Sequence, residues 1–340
     1  MKKMTVLIMI ISLILCSCVP KQVKKPISKT NLLMGTIVNI ELYDDVDDKV
    51  FEEIFDRLKD IERKMSVNIE DSEVSKLNKA SGNMSVRVSD ETYYVVKEGK
   101  KYSEISKGNF DISILPLVKL WNIGTDQARI PTKEEIEQKK SLVNYKDIYM
   151  DDETKKIELK NKNMALDLGG IAKGYGADEI TKILKKHDIK GGIIDLGGNI
   201  TVYGDKQDGS NWTVGIQNPF EERNNYIGIL TVKNQSIVTS GIYERYFEVE
   251  GKRYHHILSP FTGYPIENDL GSVTILSDES IKADSLSTSA FALGLEEGMK
   301  LLNSIENSEG IFITKDKKIY ITDGIKDTFE LTDKDFQLIK

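Results

Sequence analysis

The sequence predicts an α+β fold, with antiparallel-rich β-sheets and helices packed on them. Three observations carry this. From Tyr145 onward, short β-rich runs recur at 145–150, 155–159, 163–168, 192–195, 199–203, 211–217, 226–232, 235–239, 243–249, 252–258 and 271–276. Many of them are separated by only a few turn residues, a spacing that favours antiparallel pairing. Helical patterns interrupt the run at 170–187 and 281–304, and an amphipathic helix precedes it.

In chain order, Met34 to Leu42 reads as the first strand. Val50, Phe51, Ile54, Phe55, Leu58, Ile61 and Met65 follow helical spacing, which predicts a helix over 48–65. Ser89 can cap a second helix running to about Ile105. Thr132 and Glu135 form a capping-box pattern that opens a third. There is no internal repeat and no low-complexity tract.

The N-terminus has its own character. Met1-Lys2-Lys3 is basic, and Thr5 to Leu15 is almost wholly apolar. That run is short of the roughly 20 residues a spanning helix needs, and it has the layout of a secretory signal. It ends Leu15-Cys16-Ser17-Cys18, the pattern of a bacterial lipoprotein cleavage box, with Ser17 before Cys18. Cys16 fits poorly because Leu15 precedes it. The expectation is a signal over 1–17, a lipid on Cys18, a polar tether over 18–31 and one compact unit over 32–340. A plain signal peptide or an uncleaved membrane anchor is the alternative. The two cysteines are the only ones in the chain, so cleavage before Cys18 leaves no disulfide partner. The net charge is −7, and removing Lys2 and Lys3 makes it more acidic. Nucleic-acid binding, which wants a basic face, is not expected.

Four stretches carry candidate chemistry. Ala165 to Asp178 runs from a predicted strand through Gly169-Gly170 into a helix, where glycines admit a ligand and a helix start offers free N–H donors. It lacks the ending of a P-loop and the spacing of a dinucleotide fingerprint. The same glycines would equally serve a tight strand-to-helix turn. A second glycine turn follows at Asp195-Leu196-Gly197-Gly198. His255 and His256 stand together at a strand end, before the Pro260–Pro265 turn. Strand alternation sends the two rings to opposite faces, so at most one faces a site; an ordinary surface pair is the other reading. Asp284, Ser287 and Thr288 fall at i, i+3 and i+4 of a predicted helix, on one face. Such oxygen donors suit Mg²⁺ or Ca²⁺ rather than zinc, unless Asp284 is simply an N-cap.

Together these stretches resemble the ApbE family, the FAD:protein FMN transferases. The matched pieces are Met34-Gly35-Thr36, Ser75-Lys76-Leu77-Asn78, Gly108-Asn109-Phe110-Asp111, Asp167 through Tyr175, Asp195 through Gly198, His256 through Gly263, and Asp284 with Thr288. The resemblance implies an ApbE-type, T-fold-like core and transfer of FMN from FAD to a Thr or Ser hydroxyl of an acceptor flavoprotein, with AMP released. It implies that Met34 touches the flavin and that Asn109, Phe110 and Asp111 line the FAD pocket. Asp167 and Lys173 would contact FAD, with Ile257 nearby. The Gly170 carbonyl, Asp284 and Thr288 would hold Mg²⁺, with Ca²⁺ as the other candidate. Tyr102 or another aromatic would stack on the flavin. His256 is the candidate for taking the acceptor's proton, and Asp284 is the carboxylate at the reacting centre. Two other readings use the same residues: an FAD pyrophosphatase giving FMN and AMP, and a flavin-binding lipoprotein without chemistry. The expected acceptors are extracytoplasmic flavoproteins of membrane redox complexes, reached from a lipid anchor on the outer face of the membrane.

Overall fold

The chain enters the fold through a hairpin. In the computed structural model, which describes residues 25–339, Ile27–Leu33 pairs antiparallel with Thr36–Leu42. Met34 and Gly35, both at positive φ (53° and 68°), make the two-residue turn, the backbone such hairpins demand. This corrects the expected tether boundary and the start of the first strand. Residues 27–33 form an edge strand whose side chains are mostly exposed or half-buried, so they lack the apolar alternation that marks a strand. The signal, Cys18 and most of the tether lie outside the described residues.

The hairpin is one edge of a nine-stranded sheet, and the α+β expectation holds. Spatial order follows chain order: Ile27–Leu33, Thr36–Leu42, Gly191–Leu196, Asn199–Gly204, Gln235–Gly241, Leu270–Ser277, Ser308–Thr314, Lys318–Ile321 and Gln337–Ile339. Every pairing is antiparallel except the last. Leu270–Ser277 is buried at all eight positions because both sheet faces are covered. On one face lie the helices Asp48–Met65, Asp90–Ile105, Ala172–Lys186 and Ser280–Leu293, around a core that includes Val38, Ile40, Phe51, Leu58, Val273, Leu286 and Phe291. On the other lies a three-stranded sheet, Trp212–Gln217, Tyr226–Val232 and Phe329–Leu331, closing over Trp212, Leu230, Ile237 and Ile313.

The predicted caps form. Ser89 Oγ accepts the Thr92 N–H at 3.3 Å. Thr132 and Glu135 bond reciprocally, at 3.2 and 2.8 Å. Three local readings are corrected. Residues 163–168 make no strand: Asn163 is a turn residue at φ 68°, and only Ala165 bridges, to Ile114. In place of a neighbouring strand, the Asn78 amide accepts the Leu166 N–H at 2.7 Å and donates to the Leu166 carbonyl at 3.0 Å. The 281–304 helix is two, Ser280–Leu293 and Leu295–Asn303, broken at Gly294 with φ 80°. The 243–249 and 252–258 runs shorten to a ribbon of Tyr246–Val249 and Lys252–His255. Among the described residues no helix is long and apolar enough to cross a membrane.

Candidate active site

Two helices set the site. Gly174 lies in the first turn of Ala172–Lys186, and a Cβ there would sit 2.4 Å from the Ser280 carbonyl oxygen and 2.7 Å from Ile281 Cα. Glycine therefore lets this helix touch the start of Ser280–Leu293 backbone to backbone. The contact is bonded in both directions. Asp178 accepts the Ser280 and Ile281 N–H groups at 2.7 and 2.9 Å, capping the second helix from the first. Asp284, on the second helix, accepts the Gly174 N–H through Oδ2 at 2.9 Å. Burial pushes the Asp178 carboxyl up to about 6. The glycines of 174–176 thus serve helix packing; a Cβ on Gly176 would meet Leu58 at 3.0 Å and Met34 Sδ at 3.4 Å.

Asp284 is 4% exposed. Its Oδ1 makes no hydrogen bond among the described residues, and burial raises its pKa despite the nearby Lys173 charge. One turn on, Thr288 Oγ1 lies 3.2 Å from Ser240 Oγ, which also bonds Ser287 Oγ at 2.9 Å. Ser287 in addition donates to the Asp284 carbonyl at 2.8 Å, so it is spent internally while Thr288 stays half-buried. A Cβ on Gly170 would lie 3.7 Å from Thr288 Oγ1 and 3.0 Å from Phe110 Cε2. Gly170, Thr288 and Phe110 are therefore adjoining, and Asp284 and Lys173 stand beside them.

A buried carboxylate with one free oxygen is costly unless a proton or a cation meets it. Asp284 and the Thr288 hydroxyl, one helical turn apart, are hard oxygen donors of the kind that suits Mg²⁺ or Ca²⁺, and Gly170 lies close to Thr288. Among the described residues no group of three or more His, Cys, Asp or Glu could hold a metal, which excludes a zinc-type cluster there.

The other candidate residues divide. Asp167 accepts the Gly169 N–H at 2.8 Å. Its carboxyl is raised by burial, against the pull of Arg245 and Lys119. Asp111 turns inward and accepts Ser113 N, Ser113 Oγ and Tyr145 N at 2.8, 2.7 and 2.9 Å. It therefore fixes the loop that carries Asn109 and Phe110. Asn109 donates to the Ser106 carbonyl at 2.9 Å and lines a 980 Å³ cavity with His255, Ser259 and Thr262. Ile257 is buried, its carbonyl bonded to Ile266 N at 2.9 Å. Tyr102 is corrected: it is 4% exposed in the main core and cannot stack on a ligand.

The two histidines part company: His255 ends the ribbon strand Lys252–His255 and His256 lies just past it. His255 is buried, donates from Nε2 to the Ile266 carbonyl at 2.9 Å and accepts Ile257 N–H at Nδ1, 3.3 Å. Both its nitrogens are used. His256 Nδ1 bonds the Arg245 carbonyl at 3.2 Å, so Nδ1 carries the proton and Nε2 is left as a free base. Burial first, and then the Arg245 charge, depress His256 to about 4. The Lys173 charge lowers it slightly as well, and the same charge acts on Asp284.

Sequence reasoning missed Ser240, Arg245 and a cavity of 760 Å³ that opens beside Ala165. The cavity is lined by Lys79, Lys119, Arg129, Lys139 and Lys162 against Glu70, a cationic surface in an acidic chain. Its walls come from four separate chain segments, so no local motif announces it.

The ApbE family profile matches residues 34–312. An FAD:protein FMN transferase of Klebsiella pneumoniae is 36% identical over 312 residues, covering 92% of this chain and 96% of that one. The protein of the same name from Treponema pallidum is 33% identical over 345 residues, covering 96% and 95%. The fold of an ApbE protein from Thermotoga maritima superposes with a TM-score of 0.82 at 31% identity, over 89% of this chain and 98% of that one. The flavin transferase ApbE of Vibrio cholerae gives 0.77 at 28% identity, over 92% and 98%.

Proposed function

The chain belongs to the ApbE family, and from that premise we propose that it is a transferase that moves FMN from FAD onto a Thr or Ser hydroxyl of an acceptor flavoprotein. The observation that carries this is the meeting of Asp284, Lys173, Gly170, Thr288 and Phe110 where two helices cross. A binding protein for a neutral ligand would not bury a carboxylate with a free oxygen there.

In the reaction, the acceptor oxygen forms a bond to the FMN phosphorus, and the bond from that phosphorus to the bridging oxygen breaks. The electron pair leaves with AMP. The hydroxyl proton passes to Nε2 of His256, which is neutral and unbonded at that atom. Lys173 offsets negative charge on the diphosphate. The adenylate half of FAD occupies the lysine-lined 760 Å³ cavity, within the size range of nucleotide and cofactor sites. Asp167, Phe110, Met34 and Ile257 bound the flavin half. Asp284, Thr288 and the Gly170 carbonyl would hold Mg²⁺, which when bound supplies charge neutralisation at the phosphates. Loss of the transferred group from FAD alone, with water in place of the acceptor, is the pyrophosphatase reading.

The test is incubation of the protein with FAD, Mg²⁺ and an acceptor domain, followed by intact mass measurement. The expected product is an acceptor heavier by one FMN less water, with one AMP released per attachment and no labelling from FMN. Free FMN as the sole product, with a competent acceptor present, would leave the pyrophosphatase. We place the mature protein on the outer face of a membrane through lipid at Cys18, facing acceptors of membrane redox complexes. The cleavage-box pattern at Leu15–Cys18 supports that reading.

A further inference from the structure

Arg245 stands apart from most arginines of this chain. Arg57 is held by Glu179 and Glu91 at 2.7 and 2.9 Å, Arg129 by Glu135 at 2.7 Å, Arg223 by Glu244 at 2.9 Å and Arg253 by Glu248 at 3.2 Å. Arg245 has no carboxylate within ion-pair distance among the described residues, although acids outnumber bases in the sequence. Its neighbour Glu244 is turned away, to Arg223. The guanidinium is exposed, and its one hydrogen bond among the described residues is a long one, 3.5 Å from Nη2 to the Gly35 carbonyl. A fork with five donors is left almost wholly unspent.

The stem is nevertheless held. A Cβ on Gly124, where φ is +90°, would lie 3.3 Å from Arg245 Cδ and 3.6 Å from its Cβ and Cγ. A Cβ on Gly35, at φ +68°, would lie 3.9 Å from Nη2. Two glycine turns from distant parts of the chain thus leave a track for this side chain and lead its fork to the Met34–Gly35 turn. The Arg245 carbonyl meanwhile accepts both the His256 N–H at 3.0 Å and Nδ1 at 3.2 Å. The residue that fixes the histidine tautomer therefore also delivers a free cation to the same neighbourhood. Its charge is felt at Asp167, which bounds the flavin half, and at His256, which takes the acceptor's proton, in the transferase reading.

We infer that Arg245 is a second cationic contact for the FAD diphosphate besides Lys173, its guanidinium taking up the charge that builds on the departing AMP phosphate. This rests on the transferase reading. As the acceptor oxygen bonds to the FMN phosphorus and the bridging bond breaks, an electron pair collects on the AMP oxygen. A planar fork meets phosphate oxygens in pairs, which an ammonium cannot do. Donors aimed at developing charge are strong contributors in phosphoryl transfer.

The test uses the full chain and the variants Arg245→Ala and Arg245→Lys, with thermal melting to verify folding. Transfer to the acceptor domain should slow by about 10²–10³-fold in Arg245→Ala. Arg245→Lys should fall between it and the wild type, and added guanidinium should restore part of the alanine variant's rate. In competition against FAD, Arg245→Ala should lose about tenfold or more in affinity for AMP and none for adenosine, which lacks the phosphate. Equal losses for AMP and adenosine would overturn the inference, because Arg245 would then only shape the loop. So would transfer by Arg245→Ala within about threefold of wild type. If the wild type itself yields no flavinylated acceptor, the transferase reading fails, while the AMP and adenosine comparison still decides whether Arg245 meets phosphate.

Discussion

Replacing Asp284 with Asn should make the metal-free protein more stable while destroying its transferase activity. The carboxylate is 4% exposed and has a single bond, from Gly174 N–H to Oδ2. Asn keeps that acceptor in its carbonyl oxygen and removes the buried charge. The sign follows from linkage. A carboxyl whose pKa is raised in the fold begins to weaken the fold as pH climbs past its unfolded value, and the cost is complete above the folded value. As pH rises past the unfolded value the wild type accumulates that cost; the amide has no charge to bury and carries only the smaller cost of an N–H group unpaired where Oδ1 stood. An unpaired buried group costs more when charged than when neutral, and that excess is taken as about 1–3 kcal/mol. At about 2 °C per kcal/mol for a chain of this size, the gain is roughly 2–6 °C in Tm. Mg²⁺ should act oppositely on the two proteins. At a hundredfold excess over Kd it stabilises a protein that binds it by about 2.7 kcal/mol, which should raise the wild type and leave Asp284→Asn unmoved. Melting curves with EDTA and with Mg²⁺ read both effects. An Asn variant that melts below wild type in EDTA, or that Mg²⁺ raises as far as wild type, would refute the reasoning.

His256→Gln should slow transfer by about ten- to ten-thousand-fold with little change in FAD affinity, measured by single-turnover labelling and FAD titration. Because His256 sits near 4 in the free protein, kcat/KM should hold down to about pH 5 and fall below it; an acid limb centred at 6.5 would contradict the depressed ring. His255 is also depressed to about 4, so the unfolded chain takes up a proton first as pH falls from 6.5. The His255 contribution to stability should accordingly be full above pH 6.5 and fall by about 3 kcal/mol towards pH 4, so denaturant titrations of His255→Gln should show a flatter dependence than wild type. Gly174→Ala drives a methyl into the Ser280 carbonyl and should cost about 2–4 kcal/mol, whereas Gly198→Ala, with open space around it and φ +92°, should cost about 1 kcal/mol; equal losses in urea unfolding would contradict the contact. Cys18→Ala should abolish fatty-acid labelling and release the protein from the membrane or leave it unprocessed; unchanged labelling would remove the anchor.

Periodic segments were legible from the sequence and irregular ones were not. The 48–65 helix appears at its predicted bounds because its apolar residues keep one face. Leu115–Trp121 is a helix too, but Leu-Pro-Leu-Val-Lys-Leu-Trp is apolar nearly all round and shows no period. Residues 163–168 have strand composition, yet they pair only briefly with Ile112–Ile114 on one side and with the Asn78 side chain on the other, which no pattern in the segment itself can reveal. The strands after residue 308 lie beyond the last predicted element. At the site, Asp284 and Thr288 were legible because helix spacing brings them together. Asp111 and Asp167 could be picked out as motif residues, but whether a carboxylate faces inward or outward depends on distant segments. Arg245 gave no sign, since its significance comes from Gly35 and Gly124, far away in the chain.

The agreement between spatial and chain order in the large sheet has a kinetic consequence. From Asn199 onward, most strands wait only for a neighbour a few dozen residues away or nearer. One seam differs: Leu42 pairs with Gly192, closing a loop of about 150 residues. Loop-closure entropy makes this the slow join. Until it forms, the Thr36–Leu42 strand carries an open hydrogen-bonding edge. The alternating exposure of that strand, with Ile37 and Glu41 outward and Val38, Ile40 and Leu42 inward, leaves a sticky template in the nascent chain. Refolding should therefore be limited at this seam, and crowded chains should mispair there first.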